Sequence, residues 1–186
     1  MTLDITNLAL GPATIYHGLF GAAEPLDSQV NTTPASSAWI DLGGTQDGTT
    51  ININQTYTEL LVDQIVDSAG RRLTKRDVQV VTNMAEVVLD NLAIALNGGT
   101  VTTGATVETY DPDDDVSATQ PDYSALIIDA YTTASRRRRL FVRKVLSTES
   151  VGVPYKKDSQ TLFPVTFSAH YVSPSIKPFR VVDALS

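Results

Sequence analysis

The stretch Thr82–Gly99, TNMAEVVLDNLAIALNGG, decides the fold, because it carries the chain's sustained helical period. Apolar residues recur at Ala85, Val88, Leu89, Leu92, Ala95 and Leu96, while Glu86, Asp90 and Asn97 fall on the opposite side. Asn83 stands where a side chain can accept from the free amides of a first turn, and Glu86 follows three residues on, at the capping-box position. Gly98 and Gly99 supply the left-handed residue that ends many helices. The pattern predicts one α-helix over 83–97, with Ala85, Val88, Leu89, Leu92 and Leu96 as its core face. Everything on either side reads as strand or turn, so the helix is expected to cover the apolar face of a sheet. Burying about five or six aliphatic side chains at roughly 1.5–3 kcal/mol each gives on the order of 10 kcal/mol gross. A helix this short is marginal alone, so it should form only when docked.

Working outward, Ala13–Phe20 reads as a strand, and 21–37 as a loop rich in Pro, Ser, Thr and Asn. Trp39, Ile40 and Leu42 run into Gly43-Gly44, and Asp47-Gly48 is a turn signal. Thr50–Thr58 then alternates strictly. Ile51, Ile53, Gln55 and Tyr57 share one face, and Thr50, Asn52, Asn54, Thr56 and Thr58 share the other. The phase shifts at Glu59-Leu60, which predicts a bulge or bend there. The region reads as a long hairpin loop, about 43–58, whose polar face carries hydroxyls and amides rather than charges. Further strands are expected at Asp77–Thr82, Thr100–Tyr110, Tyr123–Tyr131, Arg138–Leu146 and Gln160–Tyr171. Residues 1–12 and 173–186 read as terminal arms, the latter ending in the short apolar piece Phe179–Leu185. The fold class is mainly β (α+β), in one domain with no visible repeat or linker.

The 186 residues are 42% hydrophobic and 19% charged, enough for a core under a modestly charged surface. A net charge of −7 disfavours wholesale nucleic-acid binding. The absence of cysteine excludes disulfide frameworks and thiolate metal sites. No apolar run approaches the roughly 20 residues of a membrane span. MTLDITNLAL carries an acid where a signal peptide carries basic residues, so a non-secreted chain is expected.

Two charge clusters stand out. Arg136, Arg137, Arg138 and Arg139 lie in a strand, where alternate side chains point to opposite faces. A solvated or subunit-contact edge is the leading reading. An ion-pair contact with a neighbouring copy's acidic loop comes second, and no aromatic platform supports nucleic-acid binding. Asp111, Asp113, Asp114 and Asp115 form that acidic loop. Asp111, Asp113, Asp115 and Asp122 mimic calcium-loop positions 1, 3, 5 and 12, but Val116 stands where the loop needs glycine. The histidines, His17 and His170, read as structural. No nucleophile motif appears, and Gly98-Gly99 follows a helix instead of preceding one, so enzymatic chemistry, cofactor and metal are not expected.

W-I-D-L-G-G-T-Q-D-G at 39–48, the polar alternating strand ending in V-D-Q-I-V-D, and R-D-V-Q-V-V-T-N-M-A-E-V-V-L-D-N-L-A-I-A-L-N-G-G at 76–99 resemble the major tail tube protein of long, non-contractile-tailed bacteriophages. The resemblance covers roughly a third of the chain. It implies two packed antiparallel sheets with a flanking helix. It also implies six subunits in a ring whose inner sheets join as one β-barrel, and rings that stack into a virion tail. Implied partners are other copies, a tape-measure protein in the lumen, tail terminator and tail-tip proteins, and double-stranded DNA in transit. Assembly would take place in the host cytoplasm. The arginine run and the aspartate loop are not hallmarks of that family.

A conduit wall should not hold phosphate, since each cation that neutralises one adds roughly 0.9 to the salt exponent of binding. Asp41, Asp47, Glu59 and Asp63, with Thr50, Asn52, Asn54, Thr56 and Thr58, are therefore candidates for the lumen wall or the ring contact. The hairpin is expected to be disordered in a free subunit. Competing readings are a tail terminator, a connector, the inner tube of a contractile injection system, or a calcium- or carbohydrate-binding β-sandwich.

Overall fold

The computed structural model describes residues 11–113, 121–131 and 136–185. The fold is mainly β, with two antiparallel sheets and one short helix. In chain order, the strands are β1 (Thr14–Leu19), β2 (Ile40–Asp41), β3 (Thr45–Leu60) and β4 (Gly70–Met84), followed by helix α1 (Leu89–Ala95). Then come β5 (Thr100–Thr103), β6 (Glu108–Asp111), β7 (Ser124–Tyr131), β8 (Arg137–Ser147), β9 (Phe163–Ala169) and β10 (Phe179–Asp183). The two sheets are unequal. Eight strands join in the order β2-β1-β7-β8-β9-β4-β3, with β10 also paired to β8, while β5 and β6 form a separate ribbon.

The large sheet must curl. Its edge strands β2 and β3 are joined only by Leu42, Gly43 and Gly44, and four Cα steps reach at most about 15 Å. A flat sheet would set those edges six strand spacings apart, about 29 Å. Leu42 closes the gap: it is buried, and its amide donates to the Ile15 carbonyl. Glu86, expected in a capping box, instead accepts from the Gly44 amide at 3.0 Å. Gly43 has φ of +78°, and a Cβ there would fall 2.2 Å from the Glu86 carboxylate, so the corner needs glycine.

Strand alternation sorts two cores. Ile15 of β1, Leu126 and Ile128 of β7, and Leu140 and Val142 of β8 face Val80 and Met84 of β4 and Phe163, Val165 and Phe167 of β9. On the opposite face, Tyr16, Ala125, Ile127 and Phe141 pack with Trp39, whose indole N–H donates to the Ala23 carbonyl. Strand β7 is thus buried on both sides, which explains its unbroken apolar run Ala125–Ile128. A register shift leaves one extra residue on β8 between Val142 and Val145, opposite Ser124–Leu126. It returns Val145 to the main core while Arg143 lines the other side.

The helix is shorter than 83–97 and turned differently. Asn83 and Met84 belong to β4, and Val88 is the N-cap. The buried helical residues are Asn91 and Ala95, with Leu92 and Ile94 packed at the margin of the core. Val88 and Leu96 are exposed, and Ala85, which precedes the helix, is half-buried. Asn91 points inward because its amide donates to the carbonyls of Glu86 (2.9 Å) and Leu42 (3.2 Å), holding the β2–β3 corner. The expected core face includes Val88 and Leu96 and leaves out Asn91, so the buried face is rotated from it.

Three other expectations are corrected. Thr100–Tyr110 is a hairpin of two short strands rather than one strand. The segment 173–186 is no free arm, since Phe179–Asp183 pairs with β8 along Arg138–Val142. The hairpin is fully laddered: β3 pairs with β4 from Thr45↔Met84 to Leu60↔Gly70. Its bulges lie at Gln46/Thr49 and Thr56/Tyr57, not at Glu59-Leu60. The expected N-terminal arm falls mostly outside the described residues, as do Asp114 and Asp115 of the acidic loop.

Candidate functional site: the projecting hairpin

β9 supports β4 only along Gln79–Met84. Beyond Val78, β3 and β4 have each other as neighbours and both of their faces are exposed. Eight residues at about 3.3 Å each carry the tip roughly 25 Å past the body. The outer edge of β3 has no strand beside it among the described residues, and it contains no proline or lysine to discourage pairing.

The pairing register assigns the two faces. Ile51, Ile53, Gln55, Tyr57 and Glu59 share a face with Val80, Val78, Arg76, Leu73 and Arg71, so the core face of the body runs out along the arm. Ile51, Ile53, Tyr57 and Leu73 are exposed apolar residues on it. The opposite face carries Thr50, Asn52, Asn54, Thr56 and Thr58 together with Gln79, Asp77, Lys75 and Arg72. The five Thr and Asn residues are exposed except for half-buried Asn52. The face is therefore not charge-free as expected, because β4 supplies the charges. Lys75 and Asp77 neutralise each other at 2.8 Å. Glu59 lies 3.9 Å from Arg71, Asp47 sits at the bulge with φ of +62°, and Asp41 accepts from the Gly43 amide in the corner. Asp63 stands in the tip with Leu61, Val62, Ile65 and Val66, and Val66 is fully exposed. Leu61, Val62, Ile65 and Val66 are not among the expected contact residues; the signal that marks them is an apolar cluster at a turn.

The arginine run is not a solvated edge. Strand β8 is interior, with β7 on one side and β10 then β9 on the other. Arg139 is buried against Asp129, and its guanidinium also donates to the carbonyls of Gln29 and Thr32. Arg137 reaches Asp129 at 3.2 Å and stacks over Tyr131, while Arg138 is bidentate with Asp183 at 2.6 and 2.7 Å. Arg137, Arg138 and Arg139 thus have acid partners within the chain, and Arg136 is half-buried ahead of β8. In the acidic loop, Asp111 ends β6 and Asp113 accepts from the Gly99 amide at 2.9 Å.

His17 is buried, and its Nε2 lies 2.7 Å from Ser124 Oγ. Burial pushes its pKa down to about 4. No carboxylate orients the other ring nitrogen among the described residues, so the pair lacks the third member of a hydrolytic triad. No cluster of three metal-ligating side chains occurs among the described residues. No helix there is long and apolar enough to cross a membrane. No protein-family model matches the chain, and no curated protein matches it in sequence.

Proposed function

We propose that this chain is the structural subunit of a phage tail tube. It assembles in the host cytoplasm, without enzymatic activity or cofactor, into six-membered rings that stack into a conduit for genome DNA. The observation that carries the reading is the projecting hairpin. It presents a 16-residue strand with an open edge and an apolar face that continues the core. A lone soluble subunit gains nothing from that arrangement, whereas pairing with copies covers the face and removes the edge. The two faces then divide the labour. Ile51, Ile53, Tyr57 and Leu73 meet a neighbouring subunit, and the Thr/Asn face, where Asp77 neutralises Lys75 and Arg72 near the tip is the remaining cation, lines the bore. Tape-measure, terminator and tail-tip proteins are the further partners this reading implies.

Electron microscopy of the purified, concentrated protein tests it. Hollow rings or tubes are the expected product, and a monodisperse monomer at every concentration contradicts the proposal.

A further inference from the structure

On the face of β7 and β8 opposite the main core, a cleft of about 580 Å³ opens beside the Trp39 cluster. Its floor is apolar, from Phe20, Trp39, Phe141 and Ile176, and its volume lies in the range of about 300–1,000 Å³ typical of sites that engulf a ligand. Its rim is basic. Arg143 and Arg180 are held there by ion pairs to Glu24 and Asp27, and the exposed Lys177 has no acid partner among the described residues. Two acids, Glu24 and Asp27, against three cations, Arg143, Lys177 and Arg180, leave the rim net positive.

The hairpin tip is its complement. Leu61 and Val66 are 76% and 105% exposed, and the charged side chains between residues 61 and 69 are Asp63 and Asp67, both acids. An apolar, acidic knob and an apolar, basic-rimmed hole occur on one chain, on different parts of its surface.

We propose that the turn 60–67 of one copy seats in the cleft of a second copy, with Asp63 and Asp67 against Lys177 and its neighbours. The proposal deepens the self-assembly reading, on which it rests. Because knob and hole are different patches, the contact is heterologous and propagates from copy to copy into a ring or a filament. Opposite charges at the rim align the partners, and the apolar floor supplies the buried area.

The chain has no cysteine, which makes a clean test available. Single variants Leu61→Cys, Ile65→Cys and Val66→Cys are each mixed with an Ile176→Cys chain under mild oxidation. A disulfide needs the two Cα atoms within about 7 Å, so a mixed dimer reports seating. The expected result is a mixed disulfide from at least one tip variant. Asp63→Lys with Asp67→Lys should raise the concentration needed for assembly about tenfold, and Lys177→Glu should recover much of that loss. Hollow particles without any mixed disulfide mean that another occupant fills the cleft, which overturns the proposal and leaves the tube reading standing. A mixed disulfide in assemblies without a bore supports the docking and removes the tube reading. A chain that stays monomeric removes both.

Discussion

Arg139 and Asp129 meet edge to edge inside the protein, Nε to Oδ1 and Nη2 to Oδ2, each at 2.7 Å, with side chains 1% and 0% exposed. Cross-strand neighbours in the β7–β8 ladder, they also receive Arg137, and Arg139 pins the loop 26–33 through two carbonyls. A buried pair of this kind is stable only because every charge is met by a partner.

Removing one partner leaves the other charge stranded. Asp129→Asn should cost about 3–5 kcal/mol, whereas joint replacement by Asp129→Leu, Arg137→Met and Arg139→Met, which strands no member of the cluster, should cost less. Denaturant unfolding of Asp129→Asn and of the triple variant checks this. A loss below about 1 kcal/mol in Asp129→Asn would show that the pair is not holding the sheet.

His17 sets an acid limit on stability. Its folded pKa, about 4, lies below the ordinary 6.5, so the unfolded chain binds the proton first. The stabilisation is therefore complete above pH 6.5 and is lost as pH falls from there towards 4. The total is on the order of 3 kcal/mol at about 1.4 kcal/mol per pH unit. Comparing melting of the parent and His17→Asn between pH 7.5 and 4 isolates the contribution. The variant should show a shallower decline, and parallel curves would contradict the assignment.

Asn97 joins helix and sheet. Its Oδ1 accepts from the Ser147 amide at 2.7 Å, its Nδ2 donates to the Ser147 carbonyl at 2.8 Å, and its φ is +60°. Asn97→Ala should lose about 2–3 kcal/mol from two bonds and backbone strain, and Asn97→Gly less, since glycine accepts the conformation. Equal losses in the two variants would show that the backbone conformation contributes nothing.

Several of these features were legible in the residues. β1, β7, β8 and β9 announce themselves because half-buried or fully buried strands need β-branched and apolar side chains. Asp129 within the run SALIIDAY was a signal that went unread: an acid in a strand buried on both faces demands a cation, and Arg139 was available. The helix face differs from the expected one for the same kind of reason, since Asn91 is inside to satisfy two carbonyls and an apolar period does not register an inward amide. The hairpin partner was illegible locally. Thr50–Thr58 pairs with a segment containing Lys75, Arg76 and Asp77, a composition that points to solvent rather than to a strand.

The ladder should open from its tip. Amides in the outer rungs, Asn54–Leu60 with Gly70–Asp77, lack a third strand and a core, so they should exchange hydrogen faster than those of Thr49–Ile53 with Val78–Met84. In assembled particles the difference should vanish. Uniform protection in the monomer would contradict an unsupported arm.

The central claim is that β3 completes its pairing on another copy. A cryo-electron microscopy map of the assembled protein measures this directly. The account predicts a hollow ring viewed end-on, with a neighbouring subunit's backbone about 4.8 Å from the outer edge of Thr45–Leu60. An assembly that leaves that edge open to solvent, or a bore lined by the apolar face of Ile51, Ile53 and Tyr57, would contradict it.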